Sequence, residues 1–308
     1  MPAFLAYLMV LGGVMGHASS EFFAVLSGVQ GAEVSVWRYL IGAAGLAVVC
    51  LLWPATRDLW TPLRQEWRRL VPYSLIGISL AYLCFHWALD YASIVQVGTV
   101  VTTIPIFVGL VNLMANRAPI GVPKLISGAA AVTGVALLLT DGYLDRLAGG
   151  GESLIGILLA VGCASLASLY MVLARPIINH YGALRITAVS LLIGAAGLWV
   201  IVGTFWGVWV QPFSLPHKES VAIWSLLTLG LWNTTITQVL WFGGLAAVPD
   251  ITRGSYLFFL KPVITAILAL AILREPISPV QLLAILVICG AVLAELFWPL
   301  LPRLAGKK

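Results

Sequence analysis

The sequence predicts an all-α integral membrane protein, with ten transmembrane helices arranged as two inverted five-helix repeats around a central cavity. Three observations predict it. Hydrophobic residues make up 61% of the 308 and charged residues 9%, with a mean hydropathy of +1.02, more apolar surface than an aqueous fold could cover. The apolar residues gather into ten runs. Each approaches the about 20 residues that a helix rising about 1.5 Å per residue needs to cross hydrocarbon about 30 Å thick. The hexapeptide Ile41-Gly42-Ala43-Ala44-Gly45-Leu46 recurs letter for letter at Ile193-Gly194-Ala195-Ala196-Gly197-Leu198. Pro105 with Arg117-Ala118-Pro119-Ile120 is matched 157 positions later by Pro262 with Arg274-Glu275-Pro276-Ile277. A duplicated unit of five spans, an odd number, inserts its second copy upside down. Runs of Leu, Ile, Val and Ala lack the in-out alternation of a membrane barrel strand, which leaves helices.

The first span, 4–27, presents Gly12, Gly16 and Ser20 at four-residue spacing, with His17 and Glu21 beside them. The second, 34–54, holds the first hexapeptide and Arg38, read as an interfacial anchor or a partner of Glu33. Between them and the third span, 57–69 mixes arginines with Trp60 and Trp67, predicting a short helix on the inner membrane surface. The third span, 70–90, sets Tyr82, His86 and Asp90 on one helix face. The fourth, 93–114, carries Gln96, Thr99, Thr102 and Thr103 and is interrupted by Pro105. The fifth, 121–140, has Ser127 and Thr133 as its most polar central residues and reads as outer support.

The sixth span, 153–175, repeats the small-residue stripe as Gly156, Ala160, Ala164 and Ser168. The 152-residue offset of the hexapeptides places Gly12 on Ala164 and Gly16 on Ser168, so the duplication reaches the packing surface. The seventh, 184–208, holds the second hexapeptide. The eighth, 221–243, is the most polar, with Trp232, Asn233, Thr234, Thr237, Gln238 and Trp241. The ninth, 250–273, carries Tyr256, Lys261 and Pro262, and the tenth, 278–298, with Cys289, joins the fifth as support.

The outward link from Asp141 to Glu152 divides the chain into units 1–145 and 146–308. Eleven of the 17 cations lie in loops or the tail on one side, from Arg57 through Arg117, Lys124, Arg175 and Arg185 to Lys308, so both termini are expected in the cytoplasm. The start has no basic leader and no signal peptide is expected. Cys50, Cys84, Cys163 and Cys289 stand singly in apolar runs and read as small buried hydrophobes. Phosphate-loop, dinucleotide and zinc-protease motifs are missing, so neither a cofactor nor a metal is expected. The cations cluster between apolar spans instead of interleaving with aromatics, which sets nucleic acid aside.

Polar groups at bilayer depth are costly, which makes them the candidate substrate-binding set: His17, Tyr82, His86, Gln96, Thr99, Ser168, Trp232, Asn233, Gln238, Tyr256 and Lys261. Pro105 and Pro262 are candidate hinges. Lys261 either holds a substrate carboxylate or pairs with Glu21, and His86 either takes up coupling protons or stays neutral and hydrogen-bonded. Trp87, Trp232 and Trp241 suit a cavity for a planar or apolar side chain, or simple packing. The class these features indicate is a carrier of small molecules in a lipid bilayer.

On Arg38, Pro105 with Arg117-Ala118-Pro119-Ile120, and Pro262 with Arg274-Glu275-Pro276-Ile277, nearly the whole chain resembles the drug/metabolite transporter superfamily with two EamA-type repeats. Glu275 fits the acidic position common in that motif, Ala118 departs from it, and Met15-Gly16 stands where relatives often carry Trp-Gly. Within the superfamily the chain most resembles the YddG-type branch of bacterial amino-acid exporters. That resemblance implies export of aromatic and other neutral amino acids across the bacterial inner membrane, through a cavity lined by helices 1, 3, 4, 6, 8 and 9. Alternating access is the expected mechanism and protons the candidate coupling ion. The alternative within the superfamily is a multidrug or metabolite exporter. A membrane-embedded lipid-modifying enzyme is the remote alternative, and the dispersed His17, His86, His180 and His217 do not supply its cluster.

Overall fold

The computed structural model describes residues 1–29, 31–92, 94–140, 151–268, 270 and 277–297, and every regular element among them is helical. The first span is α1 (Ala3–Ala18) with α2 (Ser20–Leu26), the second is α3 (Gly31–Leu52), and the third joins α4 (Trp60–Ser74), a π-helical turn at Leu75–Leu80 and α5 (Ala81–Ala88). The fourth is α6 (Ile94–Thr102) with α7 (Ile104–Asn116), and the fifth is α8 (Val122–Thr140). The second half continues with α9 (Gly151–Leu173), the short α10 (Arg175–Tyr181) and α11 (Ala183–Trp206). Its eighth span joins α12 (Ser220–Gly230), a second π-helical turn at Leu231–Ile236 and α13 (Thr237–Ala247). The ninth joins α14 (Ile251–Ser255), a 3-10 stretch at Tyr256–Leu260 and α15 (Lys261–Leu268), and α16 (Pro279–Phe297) is the tenth.

Among the described residues, nine helical runs are long and apolar enough to cross a membrane. The eighth falls short although its helix is continuous from 220 to 247, because Asn233, Thr234, Thr235, Thr237 and Gln238 lower its hydropathy. The expected surface helix over 57–69 is not a separate element: α4 feeds directly into the third span, and exposed Trp60 and Trp67 sit on its early turns. The expected boundary at 145–146, the Arg274-Glu275-Pro276 stretch, the tail from Trp298 and the side chain of Glu21 lie outside the described residues.

Each hexapeptide faces the π-helical turn of the other half. A methyl group at Gly42 would come within 2.5 Å of Thr234 Cγ2, and one at Gly194 within 2.4 Å of Ile78 Cγ2. Ser79 Oγ donates to the Gly194 carbonyl at 2.8 Å, and Thr235 Oγ1 donates to the Gly42 carbonyl at 2.9 Å. The pairings repeat when the halves are exchanged: α3 packs on α11, α1 on α13 as α9 on α5, and α8 on α16. Such reciprocity is what a two-fold relation between antiparallel copies produces, and it explains why the glycines were kept in both. The hydroxyls of Thr234 in the second π turn and of Thr237 just after it each donate to the carbonyl five residues earlier, at 2.9 and 2.8 Å, and the Thr235 hydroxyl is shared between the Gly42 carbonyl and that of Gly230, 3.2 Å away.

The fourth and ninth spans break at matching places. Pro105 is the second residue of α7 and Pro262 the second of α15, positions where a missing N–H leaves no helical bond unmade. Before Pro262, the Lys261 N–H bonds the Phe258 carbonyl and closes the 3-10 stretch. Spans five and ten are the least buried of the nine, in keeping with outer support.

Candidate functional site

The breaks in spans four and nine, with α1, α3, α5, α9 and α13, surround a central chamber. Its polar wall is His17, Ser20, Arg38, Tyr82 and Lys261; Phe85, Cys163, Met171, Trp241 and Phe258 contribute most of the rest. At about 30 Å³ it has room for roughly one water.

The second π turn orders this wall from behind. Arg38 donates from Nε to Thr234 Oγ1 at 3.0 Å and from Nη2 to the Asn233 carbonyl at 3.2 Å, and its guanidinium lies 5.6 Å from the Tyr82 ring centroid. Gln238 Nε2 donates to the hydroxyls of Tyr82 at 2.8 Å and Tyr39 at 3.2 Å. Asn233 Nδ2 reaches across to the Gly16 carbonyl at 2.6 Å and Ser19 Oγ at 2.8 Å, bracing the α1–α2 break. His17 sits edge-on to Trp241 and Phe258, with centroids 5.8 and 5.6 Å away. The Lys261 ammonium is 5.9 Å from the Phe85 ring and 5.8 Å from that of Phe258, distances that favour cation–π attraction. Four buried polar atoms here, His17 Nε2, Asn233 Oδ1, Gln238 Oε1 and Trp241 Nε1, have no hydrogen-bond partner among the described residues.

A vestibule of about 720 Å³ lies at the end opposite the basic loops, lined by residues including Gly31, Glu33, His86, Asp90 and Trp206. His86 stands one turn from the chamber residue Tyr82 and next to Phe85, with Nδ1 2.6 Å from Ser35 Oγ and 3.0 Å from the Tyr82 carbonyl. At the basic end the halves are tied together. Lys124 pairs with Asp250, Asn112 Nδ2 donates to Thr252 Oγ1 at 3.3 Å, and the Tyr256 hydroxyl donates to the Lys124 carbonyl. Asp250 precedes the ninth span; burial works to raise its carboxyl pKa, but the hydrogen bond and charge of Lys124 hold it below the ordinary value.

Of the sequence-predicted residues, His17, Tyr82 and Lys261 line the chamber, Gln238 stands one bond behind it, and Asn233 braces its wall. His86 faces the vestibule. Gln96 accepts from Ser153 Oγ at 2.9 Å, Ser168 Oγ donates to the Ala164 carbonyl at 2.6 Å, and Trp232 Nε1 donates to Ser19 Oγ at 3.3 Å. Tyr256 belongs to the basic end, and Thr99 is not among the lining residues. Trp87 packs on Trp206 with centroids 4.9 Å apart, beside the vestibule.

Arg38 departs most from its sequence reading. It is 1% exposed and faces the chamber, while Glu33 instead pairs with Lys218 at 3.3 Å. Proximity to a helix end suggested an anchor, and its partners, nearly two hundred residues away on the eighth span, carry no signal in the local pattern. Glu295 is a buried acid with no signal in its apolar run: it is 2% exposed and accepts from Arg253 Nε at 3.2 Å.

The model of the EamA-like transporter family matches residues 4–140 and 154–296. An uncharacterized transporter of Archaeoglobus fulgidus is 26% identical, over 79% of this chain and 80% of its own. Two uncharacterized transporters of Bacillus subtilis are similar over 94% of this chain: YetK, 23% identical over 91% of its length, and YvbV, 25% identical over 88%. A solved crystal structure superposes with a TM-score of 0.80 over 99% of this chain and all of that one; at 19% identity it shows the shared fold. With a family unit matched in each half, flanking one chamber between them, the chain belongs to the EamA-like transporter family.

Proposed function

We propose that this membrane transporter exports neutral amino acids with aromatic or hydrophobic side chains across the bacterial inner membrane, both termini lying in the cytoplasm. The observation that carries the reading is the chamber wall, which joins the cations Arg38 and Lys261 to the aromatic faces of Phe85, Trp241 and Phe258. A zwitterion's carboxylate finds counter-charge there and its side chain finds apolar and ring surface. In this reading His17, Tyr82 and Lys261 touch the substrate, Gln238 and Asn233 position them, and Gln96, Thr99, Ser168, Trp232 and Tyr256 serve the approaches. A chamber of about 30 Å³ must widen to admit any amino acid. Units 1–145 and 146–308 rock about it, with Pro105 and Pro262 as hinges, opening first one end and then the other.

A multidrug exporter of organic cations has less support, since the described lining residues include two cations and no carboxylate. Proton coupling is assigned to His86, between vestibule and chamber; a His86→Asn carrier that keeps its full proton dependence rejects that role. The reading is tested by counterflow in proteoliposomes against a panel of amino acids, sugars and cationic dyes. Exchange of phenylalanine, tryptophan or leucine is expected. Exchange of another class with no amino acid carried overturns it.

A further inference from the structure

A guanidinium at bilayer depth is costly unless something offsets its charge. Arg38 is 1% exposed, and the two bonds it makes, to Thr234 Oγ1 and the Asn233 carbonyl, go to neutral oxygens. Among the described residues no carboxylate pairs with it, and Nη1 has no hydrogen-bond partner although the side chain lines the chamber. The same wall holds a second unused donor. Trp241 is fully buried, its indole Nε1 has no partner among the described residues, and an indole nitrogen can only donate. Tyr82 accepts from Gln238, which leaves its own O–H to give.

We infer that Arg38 is a specificity-determining residue that holds a carboxylate of the substrate through Nη1, with Trp241 Nε1 as the second donor. This rests on the amino-acid reading above and deepens it: the carboxylate is the group the site requires, and the α-ammonium is the dispensable one. Among the described lining residues an ammonium meets only neutral acceptors such as the Tyr82 hydroxyl. A carboxylate meets charge-assisted donors, about twice as strong as neutral ones. The bonds from Nε and Nη2 to the second π turn fix the guanidinium plane and leave Nη1 for the ligand.

The test uses the full chain in proteoliposomes with labelled phenylalanine and, separately, labelled 3-phenylpropanoate, each competed by phenylalaninamide, phenylethylamine and the other acid. The expected result is competition by both acids and at least about tenfold weaker competition by the amide and the amine. In Arg38→Gln, which keeps a donor for Thr234, that discrimination collapses to within about twofold, and in Arg38→Lys it persists; Trp241→Phe narrows it. Should Arg38→Gln not fold, Arg38→Lys and Trp241→Phe decide: discrimination lost in the first or unchanged in the second overturns the anchor. Amide or amine competing as well as the acids overturns the anchor while leaving the amino-acid reading intact. Exchange of 3-phenylpropanoate without phenylalanine supports the anchor and overturns that reading. Exchange of neither overturns both.

Discussion

Lys261 presents its ammonium to two phenyl rings in the chamber wall, immediately before the break made by Pro262. A desolvated cation beside aromatic faces attracts an anionic group strongly, so its removal costs affinity as well as packing. Lys261→Ala and Lys261→Gln are expected to slow amino-acid counterflow by roughly tenfold or more while the protein still reaches the membrane. Normal counterflow by both discards the role. His17, Tyr82 and Lys261 were legible because a polar side chain inside an apolar run demands an explanation. Arg38 was legible as a residue but not as a role. The hydroxyl and carbonyl that draw it inward belong to the eighth span, and one-dimensional spacing does not report them.

The glycine seams between each hexapeptide and the opposite π turn are the element-scale counterpart of the duplication. Because they are reciprocal, Gly42→Ala and Gly194→Ala should be destabilising to similar degrees, each by about 1–3 kcal/mol. Thermal unfolding in detergent measures it, and two unchanged midpoints reject close packing there. The tie across the basic end offers a second test. Asp250→Asn keeps an acceptor for the Arg253 N–H but loses the ion pair with Lys124, worth about 1 kcal/mol at its partial exposure. The depressed folded-state pKa of Asp250 means its stabilisation is fully present above the unfolded value, about 3.9, and is lost as pH falls through the folded one. Wild type and Asp250→Asn should therefore differ in reactivity of a basic-end cysteine probe at neutral pH and converge under acid. Equal reactivity at neutral pH removes the tie from the account. Proline breaks were legible because the ring forbids a helical bond wherever it stands. The π turns were not: Leu75–Leu80 carries no local signature, and the glycines it packs against, Gly194 and Gly197, lie in the other half of the sequence.

At the scale of the molecule, the exact hexapeptide repeat and the odd span count made the antiparallel halves legible, since both survive in the letters of the sequence. The open vestibule, the tied basic end and the narrow chamber between them were not, because they come from contacts between distant spans that no local pattern reports. The central claim is that this chamber is the shared path, reached from either side in turn. Cys163 lies in its wall and is a built-in reporter once Cys50, Cys84 and Cys289 are replaced by Ala. The direct measurement is modification of Cys163 by a membrane-impermeant thiol reagent applied to oriented vesicles from each side, with and without phenylalanine. Reaction from both sides is expected, with both slowed by the substrate. Reaction from one side only, or from neither, with no effect of substrate, contradicts it.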